Sequence, residues 1–123
     1  MIDISKKLYS ILSGSTVSGY TDRIYPLITP DQIEENTFPF IVYERSTSID
    51  TTKDGGYSIG DTTFSITIFS LNYSQSIDIA KEVDSVLNGY KGGEILNCRL
   101  SMIDETYYQP AFIQKLVYQI KSR

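Results

Sequence analysis

Apolar residues recur along this chain with two different periods, and the switches between them mark its elements. In the first stretch Ile4, Leu8, Ile11 and Leu12 share one face at helical spacing, while Lys6 and Lys7 fall off it. Asp3 is a suitable N-cap and Gly14 a suitable stop. The spacing therefore predicts a first helix, followed by a small-residue loop, "SGSTVSGY". The helical period returns after "FSL". Ile77, Ala80, Val83, Val86 and Leu87 form a second stripe, with Asp78, Lys81, Glu82 and Asp84 largely off it. Asn72 and Gln75 stand at capping-box spacing, with Ser74 a competing cap, and Asn88-Gly89 ends the helix.

Elsewhere the period is two. "RIYPLI" reads as a short extended segment in which Pro26 fits only an edge or an irregularity. A polar connector, "TPDQIEENTFP", follows, with Pro30 and Pro39 keeping their preceding residues out of helical angles. "FIVYERSTS" is a strand with Phe40 and Val42 on one side and Ile41, Tyr43 and Arg45 on the other. "DTTKDGGYSIGD" is a turn or loop that makes a long β-hairpin with the next strand. That strand, "TTFSITIFSL", alternates Phe64, Ile66 and Ile68 with Ser65 and Thr67; Phe69 and Leu71 make its far end apolar on both sides, as a covered or interfacial end would be. "ILNCRLSMI" puts Leu96, Cys98, Leu100 and Met102 on one face, "DETYYQPA" breaks it, and "FIQKLVYQIK" carries Phe112, Leu116, Tyr118 and Ile120 in step.

The order is α-β-β-β-α-β-β. Hairpin-joined strands imply a mostly antiparallel sheet, and two amphipathic helices suffice to cover one face. The expected fold is a two-layer α+β sandwich. At 123 residues the chain is expected to form one domain, residues 1–123. A hydrophobic content of 41% and a charged content of 21% are ordinary for a globular chain and argue against wholesale disorder.

Composition then removes function classes. Histidine is absent, so no Ser-His-Asp triad, Cys-His pair or His-rich metal centre can be built within the chain. The formal net charge of -4 disfavours a general nucleic-acid binder. Cys98 is the lone cysteine and sits in an alternating strand, which points to a buried structural thiol in a reducing compartment. The N-terminal residues lack a signal-peptide layout, and no apolar run is long enough to span a membrane, so a cytoplasmic location is expected.

The remaining candidates for chemistry have plainer readings beside them. Asp78, Glu82 and Asp84 offer hard-cation oxygens, but Lys81 sits among them and a solvated helix face explains the pattern. "GYKGGE" and "DGGYSIGD" lack phosphate-loop spacing and read as turns. "DETYY" places its carboxylates adjacent in sequence, where glycoside cleavage needs them across a cleft; a strand junction with a polar rim accounts for it. Neither a cofactor nor a catalytic residue is expected. Tyrosine, at ten residues against no tryptophan, is the stronger signal, because its ring gives interfaces apolar area with a polar tip.

Taken in order, "LYSILSG", "DRIYPLITP", "FPFIVYERS", "FSITIFSLNYS", "SQSIDIAKEVDSVLNG" and "CRLSMIDETYYQPAFIQKLVYQIKSR" cover nearly the whole chain. In that order they resemble the tail-completion, or tail terminator (head–tail joining), proteins of siphophages and prophages. Asp22-Arg23-Ile24-Tyr25-Pro26 with Pro39 to Tyr43 downstream carries most of the likeness. The chain departs from that pattern at Tyr20-Thr21, where a glycine-bearing turn is expected, and in the polar loop from Asp50 to Asp61.

The resemblance implies a mechanical role. Such a protein caps the head-proximal end of a finished tail tube, commonly as a six-fold ring, and offers a surface to the head connector. Its partners would be further copies of itself, the tail tube protein and the head connector protein, with no specific nucleic acid and no membrane. It would work in the host cytoplasm during assembly and reside at the head–tail junction of the virion. Asp22 and Arg23 would pair locally or across a subunit boundary. An acidic ring would repel DNA, as suits a conduit. The interface residues expected are Arg23, Tyr25, Tyr43, Arg45, Lys53, Asp54, Tyr57, Phe69, Tyr107 and Tyr108. A head-side adaptor at the same junction, a non-viral α+β module that binds a peptide at a sheet edge, and a small carboxylate-using enzyme are the rival readings.

Overall fold

The computed structural model describes residues 4–14, 19, 23–27, 38–51, 57–92 and 95–122. Its elements are α1 (Ile4–Ser13), β1 (Ile24–Pro26), β2 (Phe40–Thr51), β3 (Tyr57–Ser70), α2 (Tyr73–Leu87), β4 (Ile95–Tyr108) and β5 (Ala111–Ser122). The α+β class and the order expected from the sequence both hold. The strands form one sheet in the order β1-β2-β3-β5-β4. β2, β3, β5 and β4 run antiparallel to their neighbours, whereas β1 adds to β2 in parallel, Ile24 opposite Ile41. Pro26 ends this short edge strand, where a missing N–H costs no ladder bond.

The core lies between the helices and one face of the sheet. Leu8 and Leu12 of α1 and Ile79, Val83 and Leu87 of α2 meet Ile41, Tyr43, Phe64, Ile66, Ile68, Cys98, Leu116, Tyr118 and Ile120. The stripe on α2 is therefore centred on Ile79, which the sequence pattern omits; Ala80 and Val86 flank it. Ser76 shares the buried face because its hydroxyl donates to Tyr73 O at 2.6 Å. Asn72 caps α2, its Oδ1 accepting from Gln75 N at 3.1 Å. The expected capping box is half made. Gln75 Oε1 accepts from Ser70 Oγ at 2.7 Å, and that hydroxyl oxygen in turn accepts from Asn72 N. The cap proposed for α1, Asp3, lies outside the described residues.

Two expectations about strands need correction. β2 and β3 reach to Thr51 and from Tyr57, so much of the segment read as loop is paired hairpin. β4 does not break at Asp104 but continues to Tyr108, and only Gln109-Pro110 separates it from β5. The face assignment also changes. β4 shifts register between Ile95 and Asn97 and again between Leu100 and Met102. Each extra residue turns the following side chains over. Cys98 and Leu100 face the core as expected, while Leu96 and Met102 are exposed.

Cys98 is fully buried and free, as a structural thiol should be. Burial first, and then the nearby Asp84 carboxylate, push its pKa from the ordinary 9.0 up to about 11. Tyr118 is raised further by the same two causes and by the bond its hydroxyl donates to Asp84 Oδ1, 3.0 Å long. Both acids thus keep in the fold a proton that the unfolded chain releases at lower pH. The unfolded state binds fewer protons than the native state above its thiol pKa, so stability falls with rising pH there. We expect the urea midpoint to be level well below pH 9.0, to begin falling as the pH nears 9.0 and to keep dropping through about 11. Cys98→Ala lowers the midpoint at neutral pH by loss of packing but gives a shallower alkaline decline, measured by circular dichroism at each pH.

Candidate interaction surface

The two edges of the sheet are built differently. β1 is three residues long. β4 is 14 residues long, and its two halves have different surroundings. The first half is held by the chain leaving α2. Gly89 N donates to Cys98 O at 2.6 Å, and Asn88 Oδ1 accepts from Leu100 N at 3.0 Å. Gly89 makes this latch with φ of +83°, a conformation costly for other residues. From Ser101 to Tyr108 every residue is exposed, and among the described residues no strand pairs with the outer side. Met102 is 47%, Ile103 56%, Tyr107 57% and Tyr108 78% exposed. A long edge carrying apolar side chains is what soluble proteins otherwise avoid, and it is suited to taking up a partner.

Beside this edge, at the start of α2, three rings converge. Phe112 lies 5.6 Å from Tyr73 and 4.8 Å from Tyr107, centroid to centroid, with interplanar angles of 57° and 52°. With Glu105 and Thr106 they line a cavity of about 260 Å³. The Tyr73 hydroxyl donates to the Glu105 carboxylate at 3.0 Å, and Gln114 Nε2 donates to it at 3.1 Å. Gln114 also donates to Ser76 Oγ at 3.3 Å. The hydrogen bond to Glu105, and then its charge, raise the Tyr73 pKa.

On the sheet face turned away from the helices, Phe40 is fully buried by aromatic neighbours. Phe69 stacks on it at 4.6 Å, Phe38 lies at 5.2 Å, and Tyr25 meets it edge-on at 6.2 Å. Leu27 projects from the end of β1, 68% exposed, with φ of 66°, which is unfavourable for a residue with a Cβ. Its backbone N–H is held by Tyr43 O at 2.8 Å.

The residues expected at interfaces therefore separate into groups. Tyr107 and Tyr108 stand at the exposed hairpin tip. Tyr25 and Phe69 come together around Phe40. Tyr43 is a core ring packed on Phe64 and Tyr9, and burial raises its pKa. Arg23 is exposed before β1, and Arg45 is half-buried opposite Phe64. Lys53, Asp54 and the Asp22 invoked for pairing lie outside the described residues; Tyr57 opens β3, its side chain also outside them. Asp78, Glu82 and Asp84 do not gather: among the described residues no three acidic, thiol or imidazole groups could hold a metal. Sequence reasoning weighed Glu105 only within "DETYY", as a polar rim, and missed Tyr73 and Phe112 as its neighbours; the even spacing of Glu105 and Tyr107 is the one local signal that they share a face.

No family model matches the chain, and no curated protein matches it in sequence. Among solved structures it is similar to a chain of the virion of a native gene transfer agent particle, with a TM-score of 0.73 and 12% identity. The likeness covers 94% of this chain and 90% of that one. It establishes a shared fold over most of both chains.

Ile103 and Tyr108, both more than half exposed, contribute little to the core. Ile103→Lys and Tyr108→Lys should each change unfolding free energy by no more than about 0.5 kcal/mol. The same changes should weaken docking of a partner strand on this edge, because a charge on an edge opposes strand pairing.

Proposed function

We propose that this chain is a structural protein of a phage-like particle that caps the head-proximal end of the tail tube and joins tail to head. The observation that carries the reading is the likeness of fold to a gene transfer agent virion chain over nearly the full length of both. The order of "DRIYP" and "PFIVY", which resembles that of tail terminators, is what favours the terminator role among such parts. A structural part needs surfaces rather than a cleft, and the exposed edge of β4 is such a surface.

Capping requires a closed set of subunits with the same heterologous contact between each pair. Six copies around the tube would supply it, with the tube protein on one side and the head connector on the other. Assembly would take place in the host cytoplasm, and the finished protein would stay at the head–tail junction. The role is mechanical, with no bond made or broken. We assign the outer end of the β2–β3 hairpin to contacts with neighbouring subunits or with the tube. The exposed half of β4 serves the same assembly.

Light-scattering mass after size exclusion, over a wide concentration range, is the first test. A mass near six chains with rings in negative stain is the expected outcome, either alone or once purified tail tubes are added. Failure to form rings or to cap tubes under both conditions would overturn the terminator role. Deletion of residues 52–60, with the fold verified by circular dichroism, should abolish ring formation or tube binding; unaffected assembly would remove the hairpin from the interface.

A further inference from the structure

The pocket beside β4 has a composition that selects one kind of ligand. Its walls are the rings of Tyr73, Tyr107 and Phe112, and a carboxylate, Glu105, stands among them. Aromatic faces carry negative quadrupole potential and attract cations, above all where a carboxylate adds full charge. Tyr73 and Gln114 are neutral donors, so they fix Glu105 in place without cancelling its charge. Four side chains from three elements are thereby held in a constellation that the core does not require. Tyr73 is 44% and Tyr107 57% exposed, so both present ring surface to solvent.

Size and position narrow the ligand. At about 260 Å³ the depression falls below the roughly 300–1,000 Å³ of small-molecule clefts and leaves room for one long side chain. It opens beside the strand edge whose outer side pairs with no strand among the described residues. An extended segment laid along Met102–Tyr108 would make backbone hydrogen bonds, and one of its side chains would reach the pocket. Glu105 faces the pocket opposite the neutral Gln114, whereas Asp104 points to the other face opposite Lys115; the charge at the pocket is therefore that of Glu105, and with -4 on the chain as a whole the complement is a basic segment of another protein rather than a second copy.

We infer that the Tyr73–Glu105–Tyr107–Phe112 pocket is a cation-binding socket for a Lys or Arg side chain, presented by an extended basic segment of a different protein that docks on the outer edge of β4. The inference rests on the assembly reading only for which protein supplies that segment. The socket itself is a property of the isolated chain, and a cationic side chain is bound there with or without a tail. In the assembly it gives the edge a register, because one held cation fixes where the added strand starts.

The test is a titration followed by amide chemical shifts. The probes are N-acetyl-lysine methylamide, N-acetyl-arginine methylamide and the neutral N-acetyl-norleucine methylamide. The two cationic probes should shift the amides of residues 105–107 and 112–114 in a saturable manner, and norleucine should not. Glu105→Gln should weaken binding at least about fivefold, and Tyr107→Ala should abolish it; Asp78→Asn, on the exposed side of α2, should leave it unchanged. Tyr107 is exposed at the hairpin tip, so its loss leaves the fold intact, as the unchanged remainder of the spectrum would verify. Equal shifts from norleucine, or full binding by Glu105→Gln, would overturn the socket. The same shifts on raising protein concentration alone would overturn the choice of partner, since a second copy would then fill it. Absence of rings and capping would refute the terminator role without touching these titrations.

Discussion

The sheet is buried on one face around a strand that is paired on both sides, and the register of that strand constrains everything else. β3 pairs Ile66 with Tyr43 of β2 and with Leu116 of β5, so three buried side chains line up across the middle of the sheet. The next rows repeat the arrangement, Phe64 beside Tyr118 and Ile68 beside Ile41. A slip of one residue would carry Phe64, Ile66 and Ile68 to the other face and bring Ser65 and Thr67 into the core. Each full burial of such a side chain stabilises by about 1.5–3 kcal/mol, so the slip would forfeit most of the driving force for folding. Both helices dock on this face, where Ile41, Tyr43, Phe64, Ile66, Ile68, Leu116, Tyr118 and Ile120 offer a continuous apolar surface.

That central demand leaves the edges free to differ. On one side the chain closes the sheet with three residues ending in proline. On the other it runs a 14-residue strand and secures its first half to the end of α2. The bulge between Leu100 and Met102 falls at the boundary between the two regimes. Before it, Cys98 and Leu100 belong to the core; after it, Ile103, Glu105 and Tyr107 point to the helix side beyond the helices' cover. The bulge thus decides which side chains line the socket. A regular strand would have placed Met102, Asp104 and Thr106 there, which offer neither an aromatic wall nor the same carboxylate to Tyr73 and Gln114.

The sequence makes the fold legible to the degree that period encodes burial. All five strands and both helices announce themselves because one face of each is apolar. What it conceals are the events that break a period. The two bulges of β4 are invisible in "ILNCRLSMI", since an inserted residue looks like any other until its partner strand is known. The extension of β4 through "DETYY" is hidden because a solvated edge needs no alternation of apolar residues. Ile79 is missed on α2 because the stripe drawn through Ile77 is rotated slightly from the one that packs. The parallel placement of β1 depends on a connection whose path no local pattern sets. The socket is harder still, since Tyr73 and Glu105 lie 32 positions apart and meet only through the topology. Tyr107 and Tyr108 were legible as candidates because of their residue type, but not as neighbours of Phe112.

The distance between sequence and fold likeness follows from the same physics. At 12% identity a chain can keep its architecture, because the core asks only for apolar volume at alternate positions and many residues meet that demand. Conserved architecture therefore says little about which surface is used. The informative positions are those where the chain accepts a cost that folding does not require. Leu27 holds a positive φ while its side chain is largely in solvent, and Met102, Ile103, Tyr107 and Tyr108 place apolar area on an unpaired edge. The exposed apolar area at both places is relieved if another protein covers it, while the backbone strain at Leu27 is held by its N–H bond to Tyr43 O. The two places fall on opposite margins of the same sheet, so the two surfaces can be covered by different partners at once.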